Sequence, residues 1–127
     1  MNVEQSGKFR CKAVVWQRAV DLCVAIYELT RKFPREEIYG ITQQIRRAGV
    51  SIPSNIAEGY ARGSREQYRQ FLSIAQGSCS ELQTQLVIAN RLKLAPPSDL
   101  EQVETLASEV GKMLTSILAR LRATAKV

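Results

Sequence analysis

A chain of 127 residues, 45% apolar and 24% charged, has the length and composition of one globular domain that needs no metal or disulfide staple. Its three cysteines form no CxxC pair and histidine is absent, which excludes His-based metal sites, triads and proton shuttles. No apolar run is long enough to span a bilayer, and MNVEQSGKFRCKAVVWQ has no secretory core, so the expectation is a cytoplasmic protein with no membrane partner.

The net charge of +6 is unevenly spread. Lys8, Arg10, Lys12 and Arg18 occur with no acid among residues 8–18, so residues 1–12 read as a basic arm ahead of a domain at 13–127. Residues 31–70 hold eight basic residues against Glu36, Glu37, Glu58 and Glu66. Such an excess suits a polyanionic partner, with nucleic acid foremost, and equally suits a positively biased solvated surface.

Helical periodicity runs through the domain. In the first segment Trp16, Ala19, Val20, Cys23, Ile26, Tyr27, Thr30 and Phe33 follow one face, and Pro34 predicts an end at Phe33. In the second, Ile38, Ile41, Ile45, Ala48, Ile52, Ile56 and Tyr60 keep one register across Pro53. That continuity predicts a single helix over 38–61, kinked near Pro53, rather than two helices joined by a loop. Gly49 stands where the proline ring crowds the chain, and Gly63 suits a left-handed cap.

Ser64 and Gln67 form a capping box that opens a third helix, with Tyr68, Phe71, Leu72, Ala75, Cys79, Leu82, Leu86 and Ala89 inward. A second box, Ser98 and Glu101, opens the fourth, whose stripe is Leu100, Val103, Ala107, Val110, Leu114, Ile117, Leu118 and Leu121. Four helices with short connections predict an all-α, antiparallel up-down-up-down bundle. Val15, Leu22, Leu29, Ile74, Val87, Leu106 and Met113 lie off these stripes, which predicts a second buried surface and self-association.

The organised polar pattern is Arg47, Ser51, Asn55, Glu58 and Arg62, one stripe opposite the isoleucines. Ser51 has no base to activate it, and Glu58 has no second carboxylate to share acid and base roles, so no enzyme activity and no cofactor are expected. Gly49, Ser51, Pro53, Ser54, Asn55 and Glu58 instead read as kink chemistry, the short polar side chains satisfying backbone groups the proline frees. Arginine serves a subunit contact or a polyanion equally, so both roles stay open.

The run VWQRAVDLCVAIYELTRKFPREEIYGITQQIRRAGVSIPSNIAEGYARGS, continued by FLSIAQGSCSELQTQLVIANRL, resembles the four-helix bundle family associated with intervening sequences in bacterial 23S rRNA genes. The features that carry the likeness are the VWQ helix start, the FP-x-E-E-x-Y-G connector and SIPSNIAEG; FRCKAVVWQ departs from the family's usual arm. The resemblance implies an antiparallel bundle assembled as a homopentamer. It also brings in accessory variability proteins of diversity-generating retroelements, basic pentamers that bind a reverse transcriptase and nucleic acid. The expectation is thus a non-enzymatic oligomer binding RNA or DNA through Lys8, Arg10, Lys12, Arg18, Arg46, Arg47, Arg62, Arg65 and Arg69, with a reverse transcriptase as a further partner. The alternative is a protein-interaction scaffold that binds no nucleic acid.

Overall fold

Turn chemistry sets where each helix stops. The computed structural model describes residue 11 and residues 13–125, and these contain four α-helices and a single-turn 3-10 helix, with no strand. We number the helices α1 (Val14–Thr30), α2 (Ile41–Arg62), α3 (Arg65–Arg91) and α4 (Pro97–Ala125).

The first helix ends three residues earlier than the Pro34 rule suggests. Lys32 and Phe33 donate to the carbonyls of Leu29 and Thr30, three residues back, and such bonds tighten the last turn out of α geometry. Phe33 is nonetheless buried in the core. The connector then makes the 3-10 turn Arg35–Glu37, so α2 begins at Ile41 rather than at residue 38. Ile38, expected on the buried stripe, is half exposed as a result.

Helix α2 runs without a break through Pro53, which excludes the loop alternative at 50–55. It ends at Gly63, whose φ of 77° is the left-handed cap expected there. Ser64 follows at once as N-cap of α3, its Oγ accepting the Gln67 N–H at 3.1 Å. A two-residue corner holds α2 and α3 close. A Cβ on Gly59 would stand 2.8 Å from Phe71 Cβ and 3.2 Å from Tyr68 Cα, so only glycine fits without moving a helix. At Gly49 the close approach is to a side-chain tip, the Ile26 Cδ1 of α1 lying 2.7 Å from where a Cβ would be, so a methyl there would push that tip aside rather than a helix.

The α3–α4 corner uses a residue without a sequence signal. Lys93 takes φ 57°, while Leu94 N–H bonds the Ala89 carbonyl and Lys93 N–H that of Asn90, together a Schellman motif. Pro96, whose carbonyl accepts from Asp99 and Leu100, holds the cap position of α4, and Ser98 lies inside the first turn instead of capping it. Pro97 at the first helical position loses nothing, because its missing N–H would have been an orphan.

The helices pack as a ring of neighbours, α1 on α2 and α4, α3 on α2 and α4. Residue pairs across every interface run in opposite numerical order, as antiparallel neighbours require. Ile26 meets Gly49 and Thr30 meets Arg46; Gly59 meets Phe71 and Ser51 meets Ser78. Cys79 meets Ala107 and Gln76 meets Thr115; Arg18 meets Glu109 and Lys32 meets Asp99.

The core confirms the α3 and α4 stripes and corrects that of α1. Leu72, Ala75, Cys79, Leu82, Leu86 and Ala89 of α3 face Leu100, Val103, Ala107, Val110, Leu114 and Leu118 of α4 inside the bundle. In α1 the buried set is Val15, Ala19, Leu22, Ile26, Leu29 and Thr30. Val15, Leu22 and Leu29 therefore belong to the bundle rather than to a second surface, while Tyr27 turns outward. Leu106 and Met113 also pack on the core, which leaves Ile74 and Val87 as the exposed members of the off-stripe group.

Candidate functional site

The polar stripe of α2 divides into two local structures. At its middle, Ser51 Oγ lies 2.7 Å from Ser78 Oγ of α3, and Asn55 Nδ2 donates both to Ser51 Oγ at 2.9 Å and to the Ser51 carbonyl at 2.8 Å. The serine pair ties α2 to α3, the Asn55 bonds stay within α2, and together they occupy the Ser51 hydroxyl. At its end, Arg62 Nε donates to Glu58 at 3.0 Å and its guanidinium lies over the Phe71 ring, 5.3 Å from the centroid. Ser54 is exposed one turn from Ser51.

Local pairing sorts the basic candidates. Arg18 bridges Asp21 and Glu109, Arg62 pairs with Glu58, and Arg69 pairs with Glu66 one turn earlier. Hydrogen bonds from these arginines hold the Glu66 and Glu109 carboxyls below their ordinary range and raise Arg18 and Arg69 further. Arg46, Arg47 and Arg65 form no ion pair with a described carboxylate. Arg47 and Arg65 are exposed. Lys8, Arg10 and Lys12 lie outside the described residues.

Arg46 is held in place by α1. Its Nε donates to Thr30 Oγ1 at 2.8 Å, and its guanidinium stacks 4.6 Å from the centroid of the Tyr27 ring. Thr30 can accept because its own hydroxyl is turned back to donate to the Ile26 carbonyl at 2.8 Å. Around this pair opens a groove of about 700 Å³ between Tyr27, the connector residues Ile38 and Tyr39, and the outer face of α2. Arg46 and Arg47 line it together with Thr42, Val50, Ser51, Ser54 and Asn55, and no acidic residue does. Tyr39 is 90% exposed, so its ring is presented to solvent instead of packed. The sequence reading placed most aromatics on core stripes and missed this. The signal was available in the connector, where Pro34 and Gly40 interrupt the helical register.

Among the described residues, nothing near the stripe supplies a nucleophile–base pair. The hydroxyl of Ser51 meets another hydroxyl and an amide. Burial raises the thiols of Cys11, Cys23 and Cys79 above their usual range, which lowers their thiolate content at neutral pH. Among the described residues no three His, Cys, Asp or Glu side chains gather closely enough to hold a metal, and no helix is long and apolar enough to cross a membrane.

The fold and surface define a small all-α four-helix protein with a carboxylate-free arginine–tyrosine groove between α1 and α2 that is open rather than an enclosed pocket. The model of the 23S rRNA-intervening sequence protein family matches residues 12–116, and the chain belongs to that family. Among solved structures it is similar to a protein of unknown function from the S23 ribosomal protein family of Bacteroides thetaiotaomicron, with a TM-score of 0.77 and 27% identity over 84% of this chain and 96% of that one. The comparison with curated proteins finds no match.

Proposed function

We propose that the protein is a non-catalytic, homo-oligomeric bundle that binds nucleic acid, RNA or DNA, chiefly through phosphate contacts. The observation that supports this reading is a group of arginines without a described carboxylate partner on and beside an acid-free groove. Arg46 and Arg47 flank a groove lined by no carboxylate, and Arg65 stands exposed at the α2–α3 corner. Guanidinium forks match phosphate oxygens in a bidentate way, and a cation without a competing carboxylate gives up least on binding. Arg18, Arg62 and Arg69 already have acidic partners, so in this reading they are secondary ligands. Assembly into a ring, a pentamer by family resemblance, would repeat the patch so that weak contacts add by avidity.

The scaffold reading draws on a different observation: Glu58–Arg62 and Glu66–Arg69 leave the corner nearly neutral, as a protein contact prefers. Charge removal separates the two. With Arg47→Ala and Arg65→Ala combined, binding to a mixed-sequence oligonucleotide weakens, and the slope of log affinity against log salt flattens by about 0.7–0.9 for each phosphate no longer neutralised. Arg62→Ala changes it less. A double variant that binds like the wild type at every salt concentration contradicts the proposal. A service role beside a reverse transcriptase has its own check, the presence of that gene with template and variable repeats next to this one.

A further inference from the structure

The groove between α1 and α2 carries more than charge. Phosphate binding alone needs cations, yet here two flat π surfaces accompany them. Tyr39 stands almost fully exposed at the rim, and the Arg46 guanidinium is laid over Tyr27, with Thr30 fixing its Nε. A guanidinium plane backed by an aromatic ring on one side is a ready stacking surface on the other. Thr42 lines the same groove, with its own hydroxyl buried and without a hydrogen-bond partner among the described residues. Arg47 adds a cation with no carboxylate partner among the described residues, and Asn55 closes the far end.

We infer that this groove is a subsite for single-stranded nucleic acid, in which an unpaired base stacks on Tyr39 and Arg47 holds the adjoining phosphate; this rests on the proposed nucleic-acid function. The complementarity is specific to that occupant. Two arginines without an acid among the lining residues select a polyanion, and exposed π faces select one whose bases are free to stack. A duplex offers phosphates but keeps the faces of its bases inside its own stack, so Tyr39 gains nothing from it. The volume is in the range of clefts that hold small ligands, about 300–1,000 Å³, which suits one nucleotide per subunit.

The test compares a fluorescently labelled oligothymidylate with a duplex of the same strand, by anisotropy on the full chain, for wild type, Tyr39→Ala and Tyr39→Phe. An exposed side chain at position 39 makes misfolding of these variants a minor concern, and circular dichroism verifies it. Tyr39→Ala weakens single-strand binding by about 5- to 150-fold, the span of one base–aromatic stack, without flattening the salt slope. Tyr39→Phe keeps the ring and retains the affinity. Duplex binding stays where it was in both variants. Unchanged single-strand affinity in Tyr39→Ala, beside normal wild-type binding, overturns this inference and leaves the proposed function standing. Equal losses for single strand and duplex overturn it as well. Loss of binding accompanied by a fall in oligomer mass on light scattering assigns the groove to a second copy of the chain and also overturns it. Wild-type protein that binds neither probe at low salt removes the proposed function and this subsite together.

Discussion

Replacing Gly59 by alanine sets helix propensity against packing, and the structure says which wins. Alanine is better than glycine in a helix interior by about 0.8–1 kcal/mol. At Gly59 the added methyl meets Phe71 Cβ at 2.8 Å and the Tyr68 backbone at 3.2 Å, atoms fixed to the frame of α3 that cannot swing aside. Overpacking of that kind costs about 1–3 kcal/mol, and here the two-residue corner at Gly63 and Ser64 prevents the helices from easing apart. The net is a loss of up to about 2 kcal/mol, or up to roughly 10 °C in Tm for a domain of this size. Gly77, exposed in the middle of α3, is the control, because a Cβ there meets nothing within 4 Å. Gly77→Ala should gain most of the propensity term and raise Tm by about 2–5 °C. Urea unfolding and thermal melts at one fixed protein concentration, so that assembly does not intrude, measure both. Gly59→Ala as stable as Gly77→Ala would refute the close approach of α2 and α3.

Lys93→Gly relieves a left-handed residue at the α3 cap and should stabilise by about 1 kcal/mol; a loss in urea unfolding contradicts the Schellman geometry. Pro53→Ala should fold normally by circular dichroism; if the proline bends α2 and that bend shapes the proposed homo-oligomer, the variant lowers the mass on light scattering, and an unchanged mass sinks that idea. Glu109, held low by Arg18, should contribute stability above the unfolded carboxylate pKa of about 4.3 and lose it as pH falls through its lower folded value. The Tm deficit of Glu109→Gln should accordingly be present at neutral pH and vanish in strong acid, and a deficit constant across that range contradicts the pairing.

How far the sequence carries depended on whether an apolar pattern was unique. In α3 and α4 the residues off the stripe are mostly polar, so Leu72 through Ala89 and Leu100 through Leu118 could be read directly. In α1 both Trp16–Val20–Cys23–Tyr27 and Val15–Leu22–Leu29 make an apolar face, and periodicity cannot choose between them; packing against Gly49 and α4 does. Gly63 and Ser64 announced their caps because their chemistry is local. Lys93 did not, since a left-handed lysine is imposed by the corner rather than favoured by its side chain. The same division runs through the site. Glu58–Arg62 followed from i,i+4 spacing, whereas Arg18–Glu109 joins residues 91 apart and needed the fold. The stacking of Arg46 on Tyr27 came from the packing of α1 on α2, and the exposure of Tyr39 from the connector between them, whose 3-10 turn takes side chains out of the helical register.

The central claim is that unpaired arginines on this bundle engage phosphates, and salt tests it most directly. The affinity of wild-type protein for labelled oligonucleotides of unrelated sequence is to be followed as salt is raised. Phosphate engagement predicts measurable binding at low salt, a linear fall of log affinity with log salt, and little difference between sequences. No binding at low salt, or binding that salt leaves unchanged, would contradict it.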